Sequence, residues 1–365
     1  AGSNTDWYDE ISRTGFAQSH NLSLSGGTEN SNYRASFNYR TQDGVVLGTG
    51  FDQINGSLSF TQKAFDNKLK FGVNIITTSR DAEIGFREAF RYATILNPTS
   101  AIFNDDGSFN DPSGFDLFNP VSLVTINQND ENTKELLANV TATYNITDAL
   151  KVTGSYARQN KDRTMGEYYP SNSVYRGGLA RNGLARKRNI DEFNDLFEGT
   201  LQYTGDAGNL SYTILAGASY QKFNFEGNDL IAGGFLLDNN GYNQIAQAAD
   251  LLTGQAAIGS FGNSYRLQAQ FARATFNIDD TYFLSASVRR EGSDRFGADN
   301  RYGIFPAVSA GIDISNLTDI KGVDNLKLRV GYGVTGNLPG QNYLFASIFQ
   351  PGAQFFFNGA FVPSY

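Results

Sequence analysis

Between Ser31 and Arg40 the sequence alternates strictly: Tyr33, Ala35, Phe37 and Tyr39 are apolar or aromatic, while Arg34, Ser36, Asn38 and Arg40 are polar. A period of two sends successive side chains to opposite sides of an extended chain, so the stretch is a strand with one greasy and one wet face. The same signature marks twelve segments, near 20–27, 31–41, 51–62, 67–78, 135–147, 149–160, 193–204, 209–221, 264–278, 281–291, 303–315 and 325–335. Leu69, Phe71, Val73 and Ile75 alternate with Lys70, Gly72 and Asn74; Leu326, Leu328, Val330 and Tyr332 alternate with Lys327, Arg329 and Gly331. One segment changes phase. Leu267, Ala269 and Phe271 fall on odd numbers but Ala274, Phe276 and Ile278 on even ones, which predicts a β-bulge near Phe271–Ala272.

The connections sort into two kinds. Short links (28–30, 64–66, 147–148, 205–208 and 279–280) alternate with long ones near 79–134, 161–192, 222–263 and 292–302, and a last long stretch, 337–365, follows the final segment. Tight turns at one end of a meander and long loops at the other are the organisation of an outer-membrane β-barrel, with turns in the periplasm and loops outside. A soluble β-sandwich adhesin would mix long connections between both ends and pack its greasy faces together. Mean hydropathy is ordinary at −0.36. No run of about 18 apolar residues is present, which rules out a transmembrane helix. Membrane-crossing strands leave no such run, because wet-face residues dilute every segment. Aromatic residues gather near strand ends (Tyr39, Phe51, Tyr144, Tyr156, Tyr203 and Tyr220 among them), where a ring can sit in lipid and a hydroxyl in water. The expected class is therefore all-β, a transmembrane antiparallel barrel wall over 1–365. Within the long loop 79–134, Ile84, Phe86, Phe90, Ala93 and Leu96 recur at helical spacing, which predicts a short helix folded over the barrel mouth.

Little in the chain suggests catalysis. There is no Cys and one His, His20, so neither a thiolate–imidazole metal site nor a nucleophile–histidine set can be assembled away from that residue. His20, between Ser19 and Asn21, reads as a polar residue at a strand start. The expectation is a non-enzyme with no catalytic residue, no cofactor and no metal. Asn104–Asp111 crowds oxygen ligands around Gly107, but its spacing does not match a calcium loop, and Asp-Gly is foremost a turn signal. A formal net charge of −8 argues against nucleic acid as a partner. Two sets of charges do stand out. Arg34, Arg40, Lys70, Glu198, Arg289 and Arg329 fall on the wet faces of their strands, where they would face a lumen and either pair structurally or line a solute path. Arg158–Arg188 carries eight cationic residues against Asp162 and Glu167. Read as an external loop, its Arg163, Arg176, Arg181, Arg186, Lys187 and Arg188 would meet lipopolysaccharide phosphates, an acidic ligand or an acidic protein surface, or would simply be solvated.

Several stretches resemble the SusC/RagA family of TonB-dependent outer-membrane transporters. They are NTDWYDEI at Asn4–Ile11, HNLSLSGGTENSNYRASFNYRTQDGV at His20–Val45, KLKFGVN at Lys68–Asn74, NPTSAIFNDDGSF at Asn97–Phe109, SVRREGSDRFGADNRYGIFPAVSAGIDIS at Ser287–Ser315, and LKLRVGYGVTGN at Leu326–Asn337. The resemblance implies a 22-stranded barrel in a bacterial outer membrane of the Bacteroidetes type, with the twelve segments as strands 2–13. It also implies a plug and a TonB-contacting region N-terminal to this stretch, a SusD-like surface lipoprotein as partner, and active import of oligosaccharides or oligopeptides. Phe355–Val362 would lie in the following loop or open the next strand. The alternative is a non-transporting barrel that serves as a structural or docking component of an envelope complex. On either reading the 365 residues alone are expected not to insert as a closed barrel, since two strand edges would meet lipid unpaired.

Overall fold

The alternation is realised in full. In a computed structural model that describes residues 2–112, 116–318, 322–347, 352 and 355–362, twelve antiparallel strands follow one another in a single sheet whose order is the order of the chain. They are β1 (Ala17–Gly27), β2 (Ser31–Asp43), β3 (Gly50–Ala64), β4 (Leu69–Glu83), β5 (Gln128–Asn145), β6 (Leu150–Tyr169), β7 (Leu184–Ala207), β8 (Leu210–Gly233), β9 (Ala257–Ile278), β10 (Tyr282–Ser293), β11 (Tyr302–Asp313) and β12 (Lys327–Gly333). Among the described residues no helix is long and apolar enough to cross a membrane. The chain divides into two units. One comprises 1–140, 157–194 and 224–262; the other comprises 141–156, 195–223 and 263–365.

Several connections are shorter than the alternation predicts, because the ladders run on past the last clear apolar position. The loop expected at 161–192 shrinks to 170–183, that at 222–263 to 234–256, and that at 79–134 to 84–127. The tight links owe their form to residues in the left-handed region. Phe65, Asp66 and Asn67 (φ 54°, 53° and 67°) turn β3 into β4, and Asp279 and Asp280 (φ 54° and 51°) turn β9 into β10. Asp and Asn tolerate this conformation better than most residues, and the primed turn it gives matches strand twist. Phe355–Val362 forms a small hairpin of its own, β13 (Phe355–Phe357) with β14 (Ala360–Val362).

The expected bulge is absent. β9 and β10 pair in unbroken register from Ile278↔Tyr282 to Leu267↔Ser293. Phe271 is therefore a true wet-face residue, opposite Arg289, whose guanidinium lies 5.6 Å from the ring centre. Room for the ring comes from Gly217, where any Cβ would stand 2.6 Å from Phe271. An apolar residue on the polar face had passed for a change of phase.

The first unit also carries the only sizeable core among the described residues, and it is built from connections. Trp7 and Ile11 come from α1 (Trp7–Ile11), and Ala89, Tyr92 and Ala93 from α2 (Glu88–Ile95). Val121, Leu123 and Val124 come from α3 (Pro120–Ile126); they pack together with Phe86, Leu96, Tyr169 and Tyr175. α2 is the helix expected in this loop, but its buried stripe runs through Ala89, Tyr92 and Ala93, while Ile84 and Phe90 are 42% and 40% exposed. α3 starts at a cap no periodicity revealed: the Asn119 side chain accepts from the N–H groups of Val121 and Ser122, and Pro120 sits where its missing N–H costs nothing. Asn104–Asp111 is a turn. The Asp106 carboxylate accepts from the Ser108 N–H and hydroxyl, Gly107 takes φ 83°, and Phe103 bridges to Phe109.

Candidate functional site

The register of β1–β4 assembles two faces of opposite chemistry. Leu24, Ala35, Leu58 and Ile75 lie in one row across the four strands, and Leu22, Phe37 and Gly56 in the next. This face is apolar yet uncovered: Leu22 and Leu24 are 73% and 64% exposed. A soluble protein would bury such a surface. Tyr39 continues it toward the long-loop end and donates its hydroxyl to Asp52 at 2.9 Å.

The other face is a carpet of hydroxyls and amides tied to one another. The Ser36 and Ser57 hydroxyls are 2.6 Å apart; Asn38 donates to Asn21 (2.6 Å), Asn55 to Asn38 (3.3 Å), Thr78 to Asn55 (2.8 Å) and Ser59 to Asn74 (2.8 Å). Three of the wet-face candidates stand here. Arg34 lies opposite Ser25 and Ser59, and Lys70 opposite Lys63. Arg40 donates to Gln42 and lies 5.4 Å from the centre of the Phe51 ring. Sequence reasoning missed Arg80, whose guanidinium covers Phe51 at 4.3 Å, and Lys63. Both follow from parity once the register is known.

The second unit holds the other three. Arg289 on β10 forms an ion pair with Glu291 two residues on. Arg329 on β12 lies opposite Gly311 and lines a groove of about 500 Å³ with Tyr212, Thr275, Phe283 and Ser285. Glu198 sits half-buried on β7. The cations expected in a loop at 161–192 are placed differently. Arg163 lies on β6, and Arg186, Lys187 and Arg188 lie on β7, because both strands continue beyond the predicted ends; only Arg176 and Arg181 remain in the connection. Nor do they form a bare basic patch. Arg163 pairs with Glu192 (3.6 Å), Arg186 with Glu167 (3.8 Å), Arg188 with Asp229 (3.3 Å), and Arg176 with Glu88 (3.2 Å). Lys187 donates to Asn243 at 3.4 Å. Arg181 reaches the buried Asp250, which also accepts from the Gly233 N–H. These cations brace strands and connections to one another.

A cavity of about 390 Å³ in the first unit was not foreseen. Asp43, Asp52, Asp81, Glu83, Asp130 and Glu131 line it, with Arg13 and Tyr242. Its carboxylates come from four strands and no two strands supply a recognisable motif, so only the register brings them together. Arg13 pairs with Asp43 at 3.3 Å, Asn132 donates to Asp81, and the Tyr242 hydroxyl donates to Asp130 at 3.2 Å. Burial first, and then the Asp130 carboxylate, push the Tyr242 phenol up to about 12, so it stays a donor at any physiological pH.

Comparison with known proteins agrees with this architecture. No family model matches the chain. A TonB-dependent receptor (P3) of Formosa agariphila is 29% identical over 92% of the chain and 34% of its own length, and the TonB-dependent receptor SusC of Bacteroides thetaiotaomicron is 25% identical over 91% and 35%. The chain thus spans about a third of the length of these curated relatives. Among solved structures, the RagAB peptide transporter superposes on all of the chain and 41% of its own, with a TM-score of 0.82 at 20% identity. The unliganded ferric citrate transporter FecA superposes on 85% of the chain with a TM-score of 0.54 at 10% identity. The resemblance read from the residues therefore holds: over more than nine-tenths of its length the chain is similar to TonB-dependent receptors, SusC among them, and it shares the fold of part of a TonB-dependent β-barrel.

Proposed function

We propose that this stretch is barrel wall of an outer-membrane importer, powered through TonB, for oligosaccharides or oligopeptides, working with a SusD-like surface lipoprotein. The observation that carries the reading is the pair of faces on β1–β4. An uncovered apolar face belongs against lipid, and a laterally hydrogen-bonded polar face belongs against water and solute. The wall performs no bond chemistry. Its task is to hold a wet path through the membrane while the rest of the protein gates it. The kinship with a peptide transporter and with SusC supports import over a purely structural role.

The test is uptake by the native host. Deleting the gene is expected to abolish accumulation of the oligomer that induces it, and restoring the intact gene is expected to recover it only while TonB and the proton gradient are working. Tagged intact protein is expected to bring a surface lipoprotein with it from solubilised outer membranes. Uptake that persists in the deletion strain, or that ignores loss of TonB, overturns the proposal in favour of a structural or docking barrel.

A further inference from the structure

Charge is sorted by face on β1–β4. These strands carry nine ionised residues: Arg34, Arg40, Asp43, Asp52, Lys63, Lys70, Arg80, Asp81 and Glu83. The register puts every cation on the polar face and every carboxylate on the other. Arg34 shares a row with Ser59 and Asn74, Arg40 with Gln53 and Arg80, and Lys63 with Lys70, whereas Asp52 shares one with Thr41 and Asp81, and Asp43 with Glu83. None of the five cations makes an ion pair among the described residues, although Arg163, Arg186, Arg188 and Arg289 elsewhere in the sheet all do. Lys63 and Lys70 even stand directly opposite each other, an arrangement that costs stability unless an anion comes between them.

We propose that the polar face of β1–β4 is an anion-selecting stretch of the solute path, and that the solute is an oligomer bearing carboxylate or sulfate groups. This rests on the transport reading above and names the substrate class. The cations form two stations. Arg40 and Arg80 flank Phe51 near the long-loop end, and Lys63 and Lys70 stand at the tight-turn end. Ten residues of β3 separate Gln53, in the Arg40–Arg80 row, from Lys63, which is roughly 33 Å of strand. Guanidinium forks match the geometry of carboxylate and sulfate oxygens, and the Arg80 guanidinium rests over the Phe51 ring at 4.3 Å from its centre. Between the stations lies the hydroxyl and amide carpet, with Arg34 as its one charge. Its groups already bond one another, so it wets a passing chain without trapping it. A path must attract its solute and still let go of it, and two separated stations joined by a neutral surface do both. Carboxylates on this wall would repel such a solute, and the sequence keeps all four on the opposite face.

Binding to the purified intact receptor in detergent tests the proposal without requiring transport. The probes are oligosaccharides of one length carrying an uncharged dye, in sulfated, carboxylated and neutral forms. The sulfated and carboxylated forms are expected to bind, and the neutral form to bind at least about tenfold more weakly, the scale of one charge-assisted contact. The double variant Arg40→Gln/Arg80→Gln is expected to weaken the anionic probes by about tenfold while leaving the neutral one unchanged, and to flatten the salt dependence of binding. Lys63→Gln/Lys70→Gln is expected to do the same, and retained heat-modifiability of each variant reports that the barrel is intact. Equal binding of charged and neutral probes overturns the proposal. So do variants that bind anionic probes as the parent does; if those variants also release a protease-sensitive segment, the face is occupied by an acidic part of the protein itself. A receptor that binds anions in detergent but imports nothing sinks the transport reading alone, and one that imports neutral oligomers in preference sinks anion selection alone.

Discussion

Asp250 joins two connections of the first unit, although neither motif nor spacing distinguishes it. It is buried at the start of α4 (Asp250–Thr253), takes the Arg181 guanidinium from another connection, and accepts the N–H of Gly233 at the end of β8. Removing one partner of a buried ion pair leaves the other charge desolvated, which costs about 3 kcal/mol. Asp250→Ala is therefore expected to free the 234–256 connection, read as protease cleavage there at concentrations that spare the parent; an unchanged digestion pattern would count against the clasp. Asp238 works the same seam with a different dependence. Burial pulls its carboxyl up, but bonds from the Tyr168 hydroxyl (2.7 Å) and from the Ser171 hydroxyl and N–H (2.7 and 2.9 Å) outweigh it and hold it below the usual range. A depressed value means that the ionised form is the one the fold stabilises. This contribution is fully present above the ordinary Asp value of about 4 and is lost as pH falls through the lower folded value. Amide exchange at 234–256 is expected to quicken on acidification below about pH 4, and Asp238→Asn is expected to show the faster exchange already at neutral pH, without the acid step.

At the scale of the strand, the two faces make opposite demands on neighbouring positions. Leu58 lies on the uncovered apolar face and Ser57 on the hydrogen-bonded one. An arginine on a lipid face at mid-membrane costs about 2–4 kcal/mol, whereas the wet face tolerates charge. On the lipid-facing reading proposed above, Leu58→Arg is thus expected to cut the yield of folded protein in the membrane fraction, with Ser57→Arg close to the parent. Reversal of that order would turn the sheet inside out. Such face assignments were legible in the sequence because period-two alternation is local: it needs only the next residue. What lay outside it was set by distant partners. Phe271 looked out of phase because its place under Arg289 depends on a glycine in β8, and α3 was hidden because its signal is the Asn119 cap and not a stripe. Arg163 and Arg188 looked like loop residues because the ends of β6 and β7 are held by cross-strand ion pairs with Glu192 and Asp229. The acidic cavity was hidden for a related reason, since its lining converges only after register is fixed.

Over the whole molecule, the alternation of short and long links already implied a meander, and the observed strand order, each strand beside its successor, is that meander. Such an order has two ends. Among the described residues β1 and β12 each have a single neighbour in the sheet, and each presents its other side as a row of backbone N–H and C=O groups. In water such an edge is a site for aggregation; in hydrocarbon every unpaired group costs several kcal/mol, so membranes hold closed barrels and not open sheets. This chain spans 34–35% of the length of these curated relatives. The 365 residues expressed by themselves are therefore expected to collect as aggregates, or as a species whose gel mobility is the same before and after boiling. A full-length curated relative, purified in the same detergent, is expected to run as a compact band that shifts on heating. A heat-modifiable, detergent-stable species from the 365 residues alone would mean that β1 and β12 can satisfy each other, and that this stretch of wall closes by itself.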